Sequence, residues 1–220
     1  MERLAARRLS GEPLAWITGQ AAFGDLDVRV DPGVYVPRWQ SLELARRASA
    51  LLPETGNAID LCTGSGAVAA VLRARRPSAR IVATDLDAGA VACARANGVE
   101  AYRGDLFAVV PPDLRGETDI IVAVVPYVPS TELRLLPRDT LGFEDASHYD
   151  GGLDGTDVLR RVVTEAPRFL RPGGVLLLEL GGAQADLLGP TLGHHGYASV
   201  RTWTDEDGDL RGLQATLGRR

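Results

Sequence analysis

The sequence predicts a doubly wound α/β fold, in which helices cover both faces of a mostly parallel β-sheet. From residue 58 onward, short apolar strands alternate with stretches of helical periodicity, an alternation typical of right-handed crossovers between parallel strands. The run from Asp119 to Val125 is apolar and rich in Ile and Val, as expected for a strand buried on both faces. A glycine-rich turn directly follows the first strand of this series.

The composition indicates an ordinary globular domain. The chain has 220 residues, of which 45% are hydrophobic and 24% are charged, enough for a single domain with a full core. The formal net charge of −5 argues against a broad basic face for nucleic acid. The two cysteines form neither a disulfide framework nor a metal-ligand pattern, so no metal is predicted. Because the chain has no secretory signal and no apolar window of roughly 20 residues, we expect a cytoplasmic protein that does not enter membranes.

The individual elements follow from periodicity and turn signals. Pro190 is expected to kink or end the last helix. The last two strands, joined by an acidic connection, complete a seven-stranded sheet. The predicted strands are Ala58–Cys62, Arg80–Thr84, Val99–Tyr102, Asp119–Val125, Val175–Leu180, Ser199–Thr204 and Leu210–Gly218, with a turn at 172–174, and the predicted helices are Ser41–Leu52, Val68–Arg75, Ala88–Asn97, Asp157–Leu170 and Ala183–Leu192.

The first forty residues differ from the rest of the chain. Three β-prone pieces, Ala15–Thr18, Leu26–Val30 and Val34–Val36, are separated by Gly24-Asp25 and by Asp31-Pro32-Gly33. Turn residues between alternating segments predict a β-hairpin. We therefore divide the chain into an N-terminal arm, residues 1–40, and a main domain, residues 41–220.

The strongest local signal is the loop Asp60-Leu61-Cys62-Thr63-Gly64-Ser65-Gly66-Ala67, placed between a strand and a helix. Glycines let the backbone turn sharply and approach a ligand closely, and doubly wound sheets bind ligands at the carboxyl ends of their strands. The loop therefore predicts the floor of a cofactor crevice. Its glycines, with Asp85 about 20 residues further on, also satisfy the dinucleotide-binding pattern, so glycine spacing alone does not separate NAD from S-adenosylmethionine.

Three other features favour S-adenosylmethionine. Asp60 precedes the glycines, where it can meet a cationic or amine-bearing ligand. Asp105 follows the third strand, where an adenine amino group can donate to it, and Pro126-Tyr127 follow the fourth strand. The alternative for each aspartate is a helix cap or a turn residue.

An ordered set of segments resembles the HemK-like family, which methylates the side-chain amide of a glutamine in peptide-chain release factors. The resemblance covers nearly the whole chain and implies a class I methyltransferase with a Rossmann-like fold, S-adenosylmethionine as cofactor and a release factor as partner. The segments are Gly11-Glu12-Pro13-Leu14-Ala15, Ile17-Thr18-Gly19, Val36-Pro37-Arg38, Val122 to Pro129, Glu144, Gly151-Gly152, Asp154-Gly155, Pro172-Gly173-Gly174 and Leu178-Glu179.

The same resemblance implies roles for individual residues. The loop residues Cys62, Thr63, Gly64, Ser65 and Gly66 are implied to wrap the methionine part of the cofactor. Asp85, next to Leu86, is implied to take the ribose hydroxyls, and Asp105 with Leu106 to flank the adenine. The catalytic Asn-Pro-Pro-Tyr motif of the family falls on Val124, Val125, Pro126 and Tyr127, with Val124 also beside the cofactor; only the last two positions match.

The departures leave alternatives open. Valine offers no hydrogen bond to an acceptor amide, and an unpaired buried polar group costs about 1–3 kcal/mol. A different small-molecule or peptide acceptor, or a catalytically impaired homologue that binds S-adenosylmethionine, therefore remain alternatives. The family also carries an N-terminal helical domain that helps to grip its protein substrate, and the sequence begins about where the linker to that domain would end. Trp39-Gln40-Ser41 stands where the family has Pro, an acid and Thr; Trp39 either lines a substrate pocket or packs.

Overall fold

A computed structural model describes residues 2–136 and 142–219. These residues form nine strands and seven α-helices, with short 3₁₀ turns between them. The strands are β1 (Gln20–Phe23), β2 (Leu26–Arg29), β3 (Asn57–Leu61), β4 (Arg80–Asp85), β5 (Glu100–Arg103), β6 (Thr118–Ala123), β7 (Leu170–Glu179), β8 (Tyr197–Thr204) and β9 (Leu210–Leu217). The helices are α1 (Glu2–Leu9), α2 (Leu14–Thr18), α3 (Ser41–Leu51), α4 (Ala67–Arg75), α5 (Ala88–Ala96), α6 (Asp157–Glu165) and α7 (Gln184–His194). Within the described ranges, no helix has the length and apolar character needed to cross a membrane.

The main sheet has seven strands in the order β5-β4-β3-β6-β7-β9-β8. The first five of these are parallel, and β9 runs antiparallel to both β7 and β8. The chain builds the sheet outward from β3 in one direction and then returns to β6 on the other side of β3. This confirms the predicted fold and places a topological switch point between β3 and β6, where doubly wound sheets bind ligands.

Helices cover both faces of the sheet, and the central strand β6 shows why. All six of its residues are buried, and the last four alternate between the two core clusters. Ile121 and Ala123 pack on the side of α6 and α7, whereas Ile120 and Val122 pack on the side of α3, α4 and α5. A strand buried on both faces reads as a continuous apolar run, as the sequence predicted.

The N-terminal segment contains the predicted hairpin, but its elements are different from those expected. Ala15–Thr18 was expected to be a strand and is helical, within α2, and Val34–Val36 forms no strand. The hairpin is β1 with β2. Burial decides the conformation, because the helical turn lets the buried Trp16 donate its indole N–H to the Val34 carbonyl at 2.9 Å. The division into an arm and a main domain stays a prediction.

Two further expectations were wrong near the carboxyl half, the end of one helix and the turn at 172–174, and Pro190 does not end the last helix. The helix predicted to reach Leu170 ends at Glu165, and β7 runs through the predicted turn at 172–174, where Gly173 has φ +80°. The register against β6 shifts at this point, so the glycines make an irregularity within a strand. Pro190 lies inside α7, which continues to His194. A single proline removes one backbone donor, and the buried Leu188 and Leu192 on either side keep the helix packed.

Candidate cofactor and acceptor groove

A groove of about 1080 Å³ lies along the carboxyl ends of β3, β4, β5 and β6. Parallel strands end at the same edge of a sheet, so the loops that follow them meet there. Ten of the predicted site residues line this groove: Cys62, Gly64, Asp85, Leu86, Asp105, Leu106, Val124, Val125, Pro126 and Tyr127. The other four, Asp60, Thr63, Ser65 and Gly66, do not.

The glycine loop uses its two glycines for different purposes. Both have positive φ, +56° at Gly64 and +82° at Gly66. A Cβ built on Gly64 would meet nothing nearer than the Tyr35 Cβ at 3.9 Å, so this position opens into the groove. A Cβ on Gly66 would lie 3.0 Å from the Cβ of Ala94 and 3.2 Å from Val99. Gly64 therefore leaves room for a ligand, and Gly66 lets the chain at the start of α4 approach α5 closely.

Asp60 lies beneath the loop and is 1% exposed. Its Oδ2 accepts hydrogen bonds from the Thr63 hydroxyl at 2.6 Å and from the Ala69 amide at 3.2 Å. Burial raises its pKa to about 7, against the opposing effect of these two donors. Asp60 thus fixes the loop from below. Ser65 is also buried, and its carbonyl accepts from Asn97. The predicted cofactor contacts of the four residues outside the groove stay predictions.

Asp85 connects the ends of two strands. Its Oδ2 accepts from the Gly64 amide at 2.8 Å and its Oδ1 from the Asp87 amide at 2.9 Å. Burial raises the pKa of this carboxyl group, and the two amides oppose the rise. A carboxylate has about four lone-pair sites, so Asp85 retains capacity for further donors from a ligand in the groove.

Asp105 and Leu106 form the end of the groove that follows β5. The Asp105 carboxylate is half-exposed and pairs with the Arg161 guanidinium of α6 at 2.8 Å. Leu106 has φ +47° although it is not glycine. Bulky residues in this left-handed region are uncommon and concentrate at functional sites. Cys62, on the loop after β3, shares this feature with φ +55°.

The groove is acidic. Among its described lining residues, five aspartates face two arginines, Arg38 and Arg161. The pKa of the Cys62 thiol is raised first by burial and then by Asp85, Asp60 and Asp105. An excess of negative charge within low-dielectric walls attracts cations and repels a pyrophosphate. The site therefore favours a sulfonium nucleoside over a nicotinamide dinucleotide.

The segment Val124–Tyr127 forms the wall next to this cofactor region. Val125 is buried, and Val124 packs at the edge of the α3–α4 core. The Tyr127 hydroxyl donates to Glu179 Oε1 at 3.0 Å, and Gln184 Nε2 donates to the Tyr127 carbonyl at 2.6 Å. Burial raises the pKa of Tyr127, so this side chain holds its proton and shapes the wall.

A family model and relatives of known name resemble the chain. The family model of the Methyltransferase small domain matches residues 27–123. The release factor glutamine methyltransferase of Geobacter sulfurreducens is 33% identical over 221 residues, covering 98% of this chain and 77% of that protein. The chain belongs to the release factor glutamine methyltransferase family.

Solved structures agree with this membership. The protein-(glutamine-N5) methyltransferase of Alicyclobacillus acidocaldarius is 25% identical and superposes with a TM-score of 0.53, covering 83% of this chain and 94% of that one. The Thermus thermophilus 16S rRNA N2 G1207 methyltransferase, solved with AdoMet and guanosine, gives a TM-score of 0.60 at 16% identity over 91% of this chain and 45% of that one. The second likeness shows the fold alone. As a family member, the chain is an S-adenosylmethionine-dependent methyltransferase.

One structural feature of this family member had no predicted role. Glu144, whose side chain is 1% exposed, pairs with Arg38 at 2.5 Å, accepts from the Val36 amide at 2.9 Å and accepts from the Tyr149 hydroxyl. We call Arg38, Glu144 and Tyr149 the Arg38 clamp. It ties the segment before α3 to the loop after β6, across 106 residues of sequence. The sequence contained Arg38 and Glu144 within its family-like segments, but nothing in their spacing paired them.

Proposed function

We propose that the chain binds S-adenosylmethionine in the acidic groove and methylates the side-chain amide of a glutamine in a protein acceptor, a peptide-chain release factor. The observation that carries this proposal is the juxtaposition of the open Gly64 turn with Asp85 and Asp105 at the switch point, next to the Val124–Tyr127 wall. Membership of the family supplies the acceptor class.

The groove residues fit the cofactor. Asp85 would accept from the ribose hydroxyls with its remaining lone pairs, while it keeps its bonds to the loop amides. Leu86 and Leu106 would flank the adenine, and Asp105 would accept from the adenine amino group on release from Arg161. When bound, S-adenosylmethionine supplies a methyl group on a positively charged sulfur. The surrounding carboxylates stabilise such a charge.

The protein's task in methyl transfer is to hold the acceptor nitrogen in the reactive pose. The Val124–Tyr127 wall is rigid, because Glu179 holds the Tyr127 hydroxyl and Gln184 holds its carbonyl. An amide nitrogen is a poor nucleophile, so its orientation against this wall decides the rate.

One observation favours a second candidate. Val124 places a side chain without hydrogen-bonding groups where the family has Asn. Under this second proposal, the groove binds S-adenosylmethionine but serves another small-molecule or peptide acceptor, or the chain is a catalytically impaired homologue. The cofactor half of the proposal is the same in both cases.

Mass spectrometry separates the candidates. The chain is incubated with a release factor and S-adenosylmethionine carrying a deuterated methyl group, and the modified peptide is sequenced. The first proposal expects the label on a glutamine side chain, with loss of the label when Asp85→Ala replaces the wild type. Cofactor binding without any labelled glutamine would reject the first proposal and favour the second.

A further inference from the structure

A polar side chain in the groove lacks a partner where the family's Asn is missing. The Oε1 atom of Gln40 is buried and has no hydrogen-bond partner among the described residues, and Gln40 lines the groove. A buried amide oxygen left unpaired costs about 1–3 kcal/mol. Such an atom in a ligand groove indicates a donor that arrives with the ligand.

Gln40 lines the same groove as the Val124–Tyr127 wall. It directly precedes α3, which packs against β6 and β7. The wall directly follows the last residue of β6, and Glu179, the last residue of β7, accepts from the Tyr127 hydroxyl. Val124 packs in the core cluster to which α3 contributes. Gln40 is therefore adjacent to the wall where the acceptor must be held.

Two other groove-lining atoms also lack partners among the described residues, Thr84 Oγ1 and His148 Nδ1. Thr84 lies in β4 next to Asp85, on the cofactor side. His148 makes an edge contact with Tyr35, with ring centroids 6.4 Å apart, and the Tyr35 Cβ lies 3.9 Å from a Cβ built on Gly64 of the glycine loop. Thr84 and His148 therefore lie on the cofactor side of the groove. Of the three unpartnered groove-lining atoms, we assign only Gln40 Oε1 to the acceptor side.

The carboxamide of glutamine carries the same groups as that of asparagine, one carbonyl acceptor and two N–H donors. It can accept from an acceptor amide N–H and donate to that amide's carbonyl in return. The glutamine side chain is one methylene longer than that of asparagine. This extra length lets it reach the acceptor from the start of α3 instead of from the end of β6. Resting on the proposed function, we infer that Gln40 holds the substrate amide in the place of the Asn that Val124 replaces.

Direct binding tests this inference without turnover. Trp39 precedes Gln40, lines the groove and is 72% exposed, whereas Trp16 and Trp203 are buried, so its fluorescence reports on this site. The chain, saturated with S-adenosylhomocysteine, is titrated with capped glutamine and with capped methionine, a side chain of similar length without an amide. Gln40→Leu is compared with wild type, and Gln20→Leu, at an exposed position of β1, is the matched control.

We expect wild type and Gln20→Leu to prefer capped glutamine, and Gln40→Leu to bind it tenfold to hundredfold more weakly, since 1.4 kcal/mol corresponds to tenfold. In the Gln40→Leu background, Val124→Asn is expected to restore the preference. Equal binding of the two probes by wild type, or an unchanged affinity in Gln40→Leu, would overturn the role of Gln40. Calorimetry with S-adenosylhomocysteine on each variant shows separately whether the cofactor half of the proposed function holds.

Discussion

The glycine loop provides a quantitative test at Gly66. Replacing Gly66 by Ala imposes a left-handed conformation, φ +82°, on a residue with a Cβ, which costs about 1–2 kcal/mol. The new Cβ also lies 3.0 Å from Ala94 Cβ, 3.1 Å from Ala94 Cα and 3.2 Å from Val99 Cγ2, and such overpacking costs about 1–3 kcal/mol. We expect Gly66→Ala to lower the free energy of unfolding by about 2–5 kcal/mol.

A matched variant isolates the packing part of this cost. Gly208 has φ +87°, and a Cβ there would meet nothing within 4 Å, so Gly208→Ala has only the conformational cost of about 1–2 kcal/mol. Urea denaturation of both variants, followed by circular dichroism, gives the difference. Thermal unfolding is expected to shift by roughly 2–4 °C for each kcal/mol. If Gly66→Ala is no more destabilising than Gly208→Ala, the close approach of α4 and α5 at this loop is refuted.

Three further predictions concern charged groups. Asp85→Asn keeps an acceptor oxygen but removes the charge, so calorimetry is expected to show tenfold to hundredfold weaker S-adenosylhomocysteine binding, a loss of about 1–3 kcal/mol; unchanged affinity would remove Asp85 from the site. Arg38→Leu leaves the buried Glu144 carboxylate without its guanidinium and is expected to cost about 1.5–3 kcal/mol in urea denaturation, whereas an unaltered midpoint would mean that the Arg38 clamp contributes nothing to stability. The pKa of Asp60 is raised from 3.8 to about 7 in the folded chain. Between about pH 4 and pH 7, the folded state therefore holds one more proton than the unfolded state. The free energy of unfolding falls as the pH rises through this range. This fall amounts to about 1.4 kcal/mol per pH unit; Asp60→Asn is expected to remove it, and parallel pH profiles of the two proteins would contradict the raised pKa.

The parts of the fold that follow from local pattern were predictable from sequence. Residues 120–123 lie in a strand because their apolar side chains fill both core clusters, and the apolar run in the sequence predicts this directly. Parallel strands bring their carboxyl ends to one edge of the sheet. The order of the strands therefore predicts that the turn with Gly64 after β3 lies near the aspartates at the ends of β4 and β5. Ten predicted site residues meet in one groove for this reason.

The errors arose where distant contacts decide the local structure. Ala15–Thr18 is β-prone by composition, but the buried Trp16, which donates to the Val34 carbonyl, favours a helical turn. The contact of Asp60 with the cofactor stays a prediction; its hydrogen bonds with Thr63 and Ala69 could not be predicted from the sequence. The pairing of Arg38 with Glu144 and the unpartnered Gln40 depend on the packing of α3 against the sheet, which no spacing in the sequence records.

We propose the acidic groove at the switch point as a site for a sulfonium nucleoside. Isothermal titration of the wild-type chain with S-adenosylhomocysteine, and separately with NAD, tests it most directly. We expect one molecule of S-adenosylhomocysteine to bind per chain and NAD to give no competing heat, because the carboxylates around Cys62 repel its pyrophosphate. Preferential binding of NAD, or no binding of S-adenosylhomocysteine, would contradict the claim.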